Sequence, residues 1–136
     1  MNNRASFITF ILFTGLIRDG LAAETIQKIA ARDYAYCSAF YSLQAISSST
    51  EERKKLRSEK AVKLGQYSTI LSDSETFSTE HKKAIEKILR ELKEDSVPEN
   101  TANRVAEFCD NIQEKYSPIV FRRIIEINKL NERGSN

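Results

Sequence analysis

Apolar residues recur along this chain at intervals of three and four positions in four separate stretches. That spacing places them on one face of an α-helix, whereas a half-buried β-strand would show strict alternation. The stretches cover approximately residues 24–47, 50–73, 79–94 and 98–132. The pattern therefore predicts an all-α protein, and its simplest arrangement is an up-down four-helix bundle with a long last helix.

Each predicted helix carries an apolar stripe wide enough to face a common core. The stripe of the first helix is Ile26, Ala30, Tyr34, Cys37, Phe40 and Tyr41, with Ile29, Tyr36 and Leu43 along one edge. The inward residues of the second helix are Leu56, Leu64, Tyr67 and Leu71. Those of the third helix are Ala84, Ile85, Ile88, Leu89 and Leu92. The fourth shows Val105, Phe108, Cys109, Ile112 and Tyr116 on one side.

Polar residues that can cap helices stand at the predicted starts. Ser49 or Thr50 is expected to cap the second helix, and Ser78 the third. Ser96 begins a capping box for the fourth helix, in which Pro98 takes an early helical position that suits proline. These signals predict short connections between the helices.

Pro118 interrupts the apolar pattern of the last helix, because proline cannot donate a backbone hydrogen bond and crowds the preceding turn. The apolar residues beyond it stay in phase with Cys109 and Ile112. The helix is therefore expected either to kink at Pro118 and continue, or to break and restart with Ser117 as its cap.

The N-terminal residues have the organisation of a secretory signal peptide. A short basic segment, residues 1–4, precedes thirteen uncharged residues and then the small residues Ala22 and Ala23. The uncharged run is shorter than the roughly 20 residues that a membrane-spanning helix needs. We expect cleavage after Ala22 or Ala23 and a periplasmic or secreted protein. The charged pair Arg18-Asp19 leaves an uncleaved anchor as the alternative.

Cleavage would leave one helical domain, residues 23–132, followed by a short disordered tail, residues 133–136. It would also remove Arg4, Arg18 and Asp19 and leave 19 basic and 18 acidic residues. A chain so close to neutrality lacks the basic excess that nucleic-acid binding requires. We expect no nucleic-acid partner and no stable membrane insertion once the signal is removed.

Two cysteines occur at the centres of apolar stripes, Cys37 in the first predicted helix and Cys109 in the fourth. Those helices are antiparallel neighbours in an up-down bundle, so the two side chains can meet at mid-height. An exported protein folds where disulfides form and persist. The sequence therefore predicts a Cys37–Cys109 disulfide, with two separate buried thiols as the alternative.

Asp33 lies close to the centre of the first stripe, which directs a carboxylate toward the core. A buried, unpaired charge would be costly, so we expect a cationic partner. Arg123 occupies a similar position on the last helix, and Arg53 and Lys60 lie on the second. We predict a buried or half-buried Asp33–Arg123 ion pair that fixes the helix register. The alternatives are a general acid or base with a raised pKa, and a carboxylate that reaches solvent.

No recognisable catalytic, metal or cofactor motif occurs in the sequence. His81 is the only histidine and shares a face with Ala84 and Ile88, which predicts a residue at the edge of the core and not a ligand. No CxxC, HxxxH, GxSxG or glycine-rich phosphate loop is present. We expect no catalytic residues, no metal ligands and no cofactor.

Two classes of function remain open. The first is a non-enzymatic module that binds an envelope or extracellular protein, as an inhibitor, an immunity or exclusion factor, or an accessory subunit. The first helix has more tyrosines than one narrow stripe can bury, and Tyr36 and Leu43 are its candidate contact residues. The alternative is a helical bundle that holds a lipid, haem or metal in its core. A cavity lined by the two cysteine-containing stripes would favour that alternative.

Overall fold

The computed structural model describes residues 5–134, and within this range the side chains of residue 20 and of residues 22–134. The described residues form the helices α1 (Ala5–Ile46), α2 (Glu51–Leu71), α3 (Ser74–Glu94) and α4 (Pro98–Gly134), with no β-strand among them. The predicted all-α bundle is confirmed. Residues 1–4 of the predicted signal peptide and residues 135–136 of the predicted tail lie outside the described range, whereas residues 133–134 belong to α4.

Helix α1 packs against each of the other three helices, most extensively against α2. Small side chains allow α1 and α2 to approach closely, and two hydroxyl groups bridge them. Ser38 Oγ donates to the carbonyl of Ala61 at 2.8 Å, and Ser68 Oγ donates to the carbonyl of Ala31 at 2.7 Å. Residue numbers rise along one helix as they fall along the other, so α1 and α2 are antiparallel.

The disulfide joins α1 to α4 at the centre of the bundle. The Cα atoms of Cys37 and Cys109 are 5.5 Å apart, and both residues are fully buried. This distance is the usual one for a disulfide, so the bond joins the helices without displacing them. The predicted pairing is confirmed, and the alternative of two separate thiols is wrong.

The core consists mainly of residues from the predicted stripes. Tyr34 lies at its centre, in edge-to-face contact with Tyr67 at 5.4 Å and with Tyr116 at 6.1 Å between ring centroids. Such contacts stabilise aromatic pairs beyond the area that they bury. Some residues predicted to face inward are instead substantially exposed: Ile26, Leu56, Leu89 and Phe108. Phe108, for example, lies in an open groove between α1, α3 and α4, which leaves its ring partly accessible to solvent.

Two of the three predicted caps differ from those in the structure. Thr50 caps α2 as predicted, accepting the backbone N–H of Arg53. Helix α3 begins one turn earlier than expected, because the Asp73 carboxylate accepts the N–H of Thr76 at 2.7 Å. Ser78 therefore lies inside α3. Asp95 replaces Ser96 before α4, accepting from the N–H groups of Val97 and Thr101 and from the Thr101 hydroxyl.

Helix α4 continues through Pro118 as one element of 37 residues. Proline leaves the carbonyl four residues earlier, that of Glu114, without its usual backbone donor. The Ser117 hydroxyl donates to this carbonyl at 3.2 Å. Ser117 thus compensates for the missing bond inside a continuous helix, and it does not cap a second one.

None of the helices is both long and apolar enough, within the part of the chain that the structure describes, to cross a membrane. Helix α1 is much longer than its predicted counterpart because it begins at Ala5 and includes most of the predicted signal peptide.

Candidate interaction groove

An open groove of about 540 Å³ lies between α1, α3 and α4, and we call it the aromatic groove. Its floor is apolar and consists of Tyr36, Ala84, Val105 and Phe108. Charged side chains from all three helices surround the floor: Arg32, Asp33, Glu80, Lys83, Lys87, Glu91 and Arg104. The groove therefore combines an aromatic surface with a charged rim.

Tyr36 connects the floor of the aromatic groove to its rim. Its ring meets Phe108 edge to face at 5.9 Å, and Lys87 Nζ lies 5.3 Å from the centre of the same ring. Burial raises the pKa of Tyr36, with a further increase from Glu91 and a smaller opposing effect of Arg104. The phenol therefore stays protonated and can act as a hydrogen-bond donor.

Tyr36 and Leu43 do not form one exposed surface. Both are half-buried against the core, and Leu43 does not line the aromatic groove. The core also buries Tyr34 and Tyr41, so the number of tyrosines in α1 does not by itself indicate a contact surface. Of the two predicted contact residues, the structure places only Tyr36 in a groove.

Asp33 does not pair with Arg123. The Tyr116 hydroxyl donates to the Asp33 carboxylate at 3.0 Å, whereas Arg123 binds Glu126 at 3.1 Å. The antiparallel register places Tyr116 opposite Asp33, and Arg123 lies two turns, about 10 Å, further along α4. The predicted ion pair is wrong for this reason.

The environment of Asp33 favours its neutral form. Burial raises the pKa of Asp33, and the Tyr116 hydrogen bond and the charges of Arg32 and Lys115 only partly oppose this effect. Lys60, another expected partner, instead binds Asp110 at 2.9 Å beside Tyr41, about two turns further along α1. Asp33 is thus a half-buried carboxyl group whose closest stabilising contact is a neutral hydroxyl.

A second groove, of about 900 Å³, lies between the C-terminal half of α1, the middle of α2 and the start of α3, and we call it the apolar groove. Phe77 and His81 line it, with their rings 5.2 Å apart. Burial lowers the pKa of His81, which therefore stays neutral at physiological pH. His81 lies at the edge of the core, as predicted from its position in the sequence.

Neither groove is a cavity inside the core, and neither cysteine lines either of them. The core around the disulfide is closed. Among the described residues, no cluster of histidine, cysteine, aspartate or glutamate could hold a metal ion. The grooves can bind an apolar or charged group of a partner.

The sequence did not indicate the rim of the aromatic groove. Lys83, Lys87 and Glu91 repeat at four-residue spacing along one face of α3, a weak signal that also describes an ordinary solvated helix. Arg104 joins them only through the packing of α4 on α3. Phe108 has the pattern of a core residue, yet 39% of its surface remains exposed in the groove.

Comparison with known proteins provides no further assignment, because no family model, curated protein or solved structure matches this chain.

Proposed function

We propose that this chain is an exported, non-enzymatic protein that acts by binding another protein through the aromatic groove. The observation that carries the proposal is the exposed aromatic floor of that groove, outside a core that the disulfide and the central tyrosine already close. Aromatic side chains at the centre of a surface, surrounded by charged groups, are the usual composition of a protein-binding hot spot. An inhibitor, an immunity or exclusion factor, or an accessory subunit would act in this way.

Export is supported by the buried disulfide together with the signal-like composition of residues 1–22. Disulfides persist in the periplasm and outside the cell and are rare in the reducing cytosol. Mass spectrometry of the protein recovered from the envelope fraction should show a chain that begins at Ala23 or Glu24. Intact residues 1–17 would instead support an uncleaved anchor.

The binding proposal is tested by affinity capture from the native host with the disulfide-bonded protein as bait. Phe108→Ala should lose a partner that the unmodified chain retains, because the substitution removes half of the aromatic pair. Phe121→Ala is the matched control, since Phe121 is on the same helix, is 66% exposed and lies outside both grooves. The control should retain the partner.

The apolar groove provides a second arm of the same experiment. Val62 in that groove and Leu56 outside it are on the same helix and are both 60% exposed. Loss of the partner with Val62→Glu, but not with Leu56→Glu or Phe108→Ala, would move the binding site to the apolar groove. Retention of the same proteins by every variant would refute binding through either groove.

A ligand-binding bundle is the second candidate function, and the size of the aromatic groove favours it. Its volume falls in the range of small-molecule sites, which extends from about 300 to 1,000 Å³. A lipid whose chain lies on Tyr36 and Phe108 fits this groove better than a ligand inside the closed core. Native mass spectrometry of the purified protein should then detect a bound lipid that Phe108→Ala releases.

A further inference from the structure

The charged groups of the aromatic groove are arranged in two layers. In the Lys83–Glu80 pair, the lysine side chain is 66% exposed and the glutamate 25%. About three turns further along α3, Glu91 is 28% exposed and lies beneath both Lys87, at 56%, and Arg104 of α4, at 69%. In all three pairs the cation forms the outer layer and the carboxylate the inner one.

This layering determines which charge a partner meets first. The distances from Glu91 to Lys87 and Arg104 are 3.8 Å and 3.5 Å, so one carboxylate serves two cations and neutralises only one charge. Arg32 adds another exposed cation, while Asp33 is half-buried and bound by Tyr116. The approach to the groove is therefore positive, although the whole chain is close to neutral.

The floor beneath these cations selects for an apolar group. Tyr36 and Phe108 form a right-angled aromatic corner, and the buried Val105 closes its base. A groove of about 540 Å³ holds one or two large side chains and leaves the cations above them. A suitable occupant therefore has apolar residues with acidic residues beside them.

We propose that the aromatic groove binds an acidic amphipathic segment of a partner protein, with an apolar side chain against Tyr36 and Phe108 and carboxylates against Lys83, Lys87 and Arg104. This inference rests on the proposed protein-binding function and specifies the chemistry of its partner. Complementary charge at a rim accelerates association and excludes partners of the wrong sign.

Three synthetic helical peptides test the proposal with the full, disulfide-bonded chain. They share one phenylalanine and two leucines on one face and have glutamate, glutamine or lysine at the polar positions. Fluorescence anisotropy in about 50 mM salt should show the glutamate peptide binding about tenfold more tightly than the glutamine peptide, as expected for three exposed ion pairs. The difference should disappear in about 1 M salt, which screens exposed charges.

Charge-neutralising variants test whether the rim residues cause the difference in affinity between the glutamate and glutamine peptides. Lys83→Gln, Lys87→Gln and Arg104→Gln combined should abolish the preference for the glutamate peptide over the glutamine peptide. Lys82→Gln with Lys93→Gln is the matched control, because both lysines are exposed on α3 and neither lines the groove. Each single rim variant, measured separately, should lose about two- to threefold in glutamate-peptide affinity even if the triple variant does not fold.

Equal affinity for the three peptides, or a preference for lysine, would overturn the proposal. A second result would also overturn it: the chain binds vesicles of anionic phospholipid through Lys83, Lys87 and Arg104 but shows no preference for the glutamate peptide. The ligand would then be a lipid surface. The proposed function fails separately if Phe108→Ala loses no native partner. If that partner is lost with Phe108→Ala but retained by the triple variant, only the acidic chemistry is wrong.

Discussion

At the scale of single residues, Asp33 illustrates how local contacts determine the protonation of a group. Desolvation penalises its carboxylate, and the hydrogen bond that it accepts comes from the neutral Tyr116. A carboxyl group whose pKa is raised by folding stabilises the protein fully below its unfolded value of 3.8. That contribution is lost as the pH rises through the folded pKa.

Asp33→Asn should therefore raise the melting temperature at neutral pH, because asparagine carries no charge and its oxygen can still accept from Tyr116. The difference from the unmodified protein should vanish by about pH 3, where Asp33 is protonated in both the folded and unfolded states. Calorimetry across this pH range provides the measurement. A variant that is less stable at neutral pH would show that the charge itself is stabilising.

Tyr116→Phe offers a direct check on the same carboxyl group. The Tyr116 hydrogen bond favours the charged form, so its removal should raise the pKa of Asp33 further. Carbon-detected NMR titration of the Asp33 carboxyl would follow this change. Tyr41→Phe is the control, because its hydroxyl contacts Asp110 and not Asp33.

At the scale of helices, the closeness of α1 and α2 depends on Gly65. A Cβ atom at this position would lie 3.0 Å from the Phe77 ring and 3.3 Å from Ser38 Oγ. Ser38 is already committed to a hydrogen bond with Ala61, so it cannot move freely. Glycine is retained inside a helix, despite its low helix propensity, because α3 and α1 both occupy the space beside it.

Gly65→Leu should destabilise the fold by about 1–3 kcal/mol, the usual cost of forcing a larger side chain into a packed site. Urea unfolding of the two proteins measures this difference. Gln66→Leu adds leucine at the next, exposed position and should change stability by less than about 0.5 kcal/mol. Equal effects of the two substitutions would mean that α2 packs less closely than described.

The starts of the helices also show how well local sequence predicts the capping residue. Serine and aspartate are both good N-cap residues, and the short connections contain several of them. Asp73 caps α3 instead of Ser78, which places Phe77 inside the helix, where its ring packs beside Gly65. Tertiary packing thus chooses between capping residues that the sequence leaves nearly equivalent.

At the scale of the whole molecule, the disulfide connects the helices at the two ends of the domain. Cys37 and Cys109 are separated by 72 residues in a chain of 136, so their bond closes a loop of about half of the unfolded chain. In the chain-entropy model this restriction stabilises the folded state by about 4 kcal/mol. Full burial of both cysteines protects the bond from reductants while the bundle is folded.

The double substitution Cys37→Ala with Cys109→Ala should therefore lower the free energy of unfolding by about 4 kcal/mol, with loss of packing adding to this value. Urea unfolding under non-reducing conditions provides the measurement. A reductant should then decrease the difference in free energy of unfolding between the two proteins, because it acts only on the chain that has the disulfide. A loss below about 1 kcal/mol would mean that the bond contributes little beyond packing.

The fold class and the number of helices were predictable from the sequence alone, and the disulfide was predicted with two separate thiols as the alternative. Helical periodicity depends only on the order of apolar residues, and the two cysteines lie at equivalent heights on stripes that must face each other. The continuous path of α4 through Pro118 was one of two predicted alternatives. The fold class and the number of helices follow from repeating patterns along the chain, whereas the disulfide prediction also required the first and fourth helices to be neighbours.

Which side chains meet depends on how the helices pack against one another. Asp33 faces Tyr116 and not Arg123 because the register between α1 and α4 is set by packing along their whole length. The aromatic groove exists because three helices leave a gap between them, and its outer layer is cationic because Glu80 and Glu91 lie deeper than their partners. Periodicity places a residue on a face of its helix, whereas the position of that face relative to the other helices depends on the packing of the whole bundle.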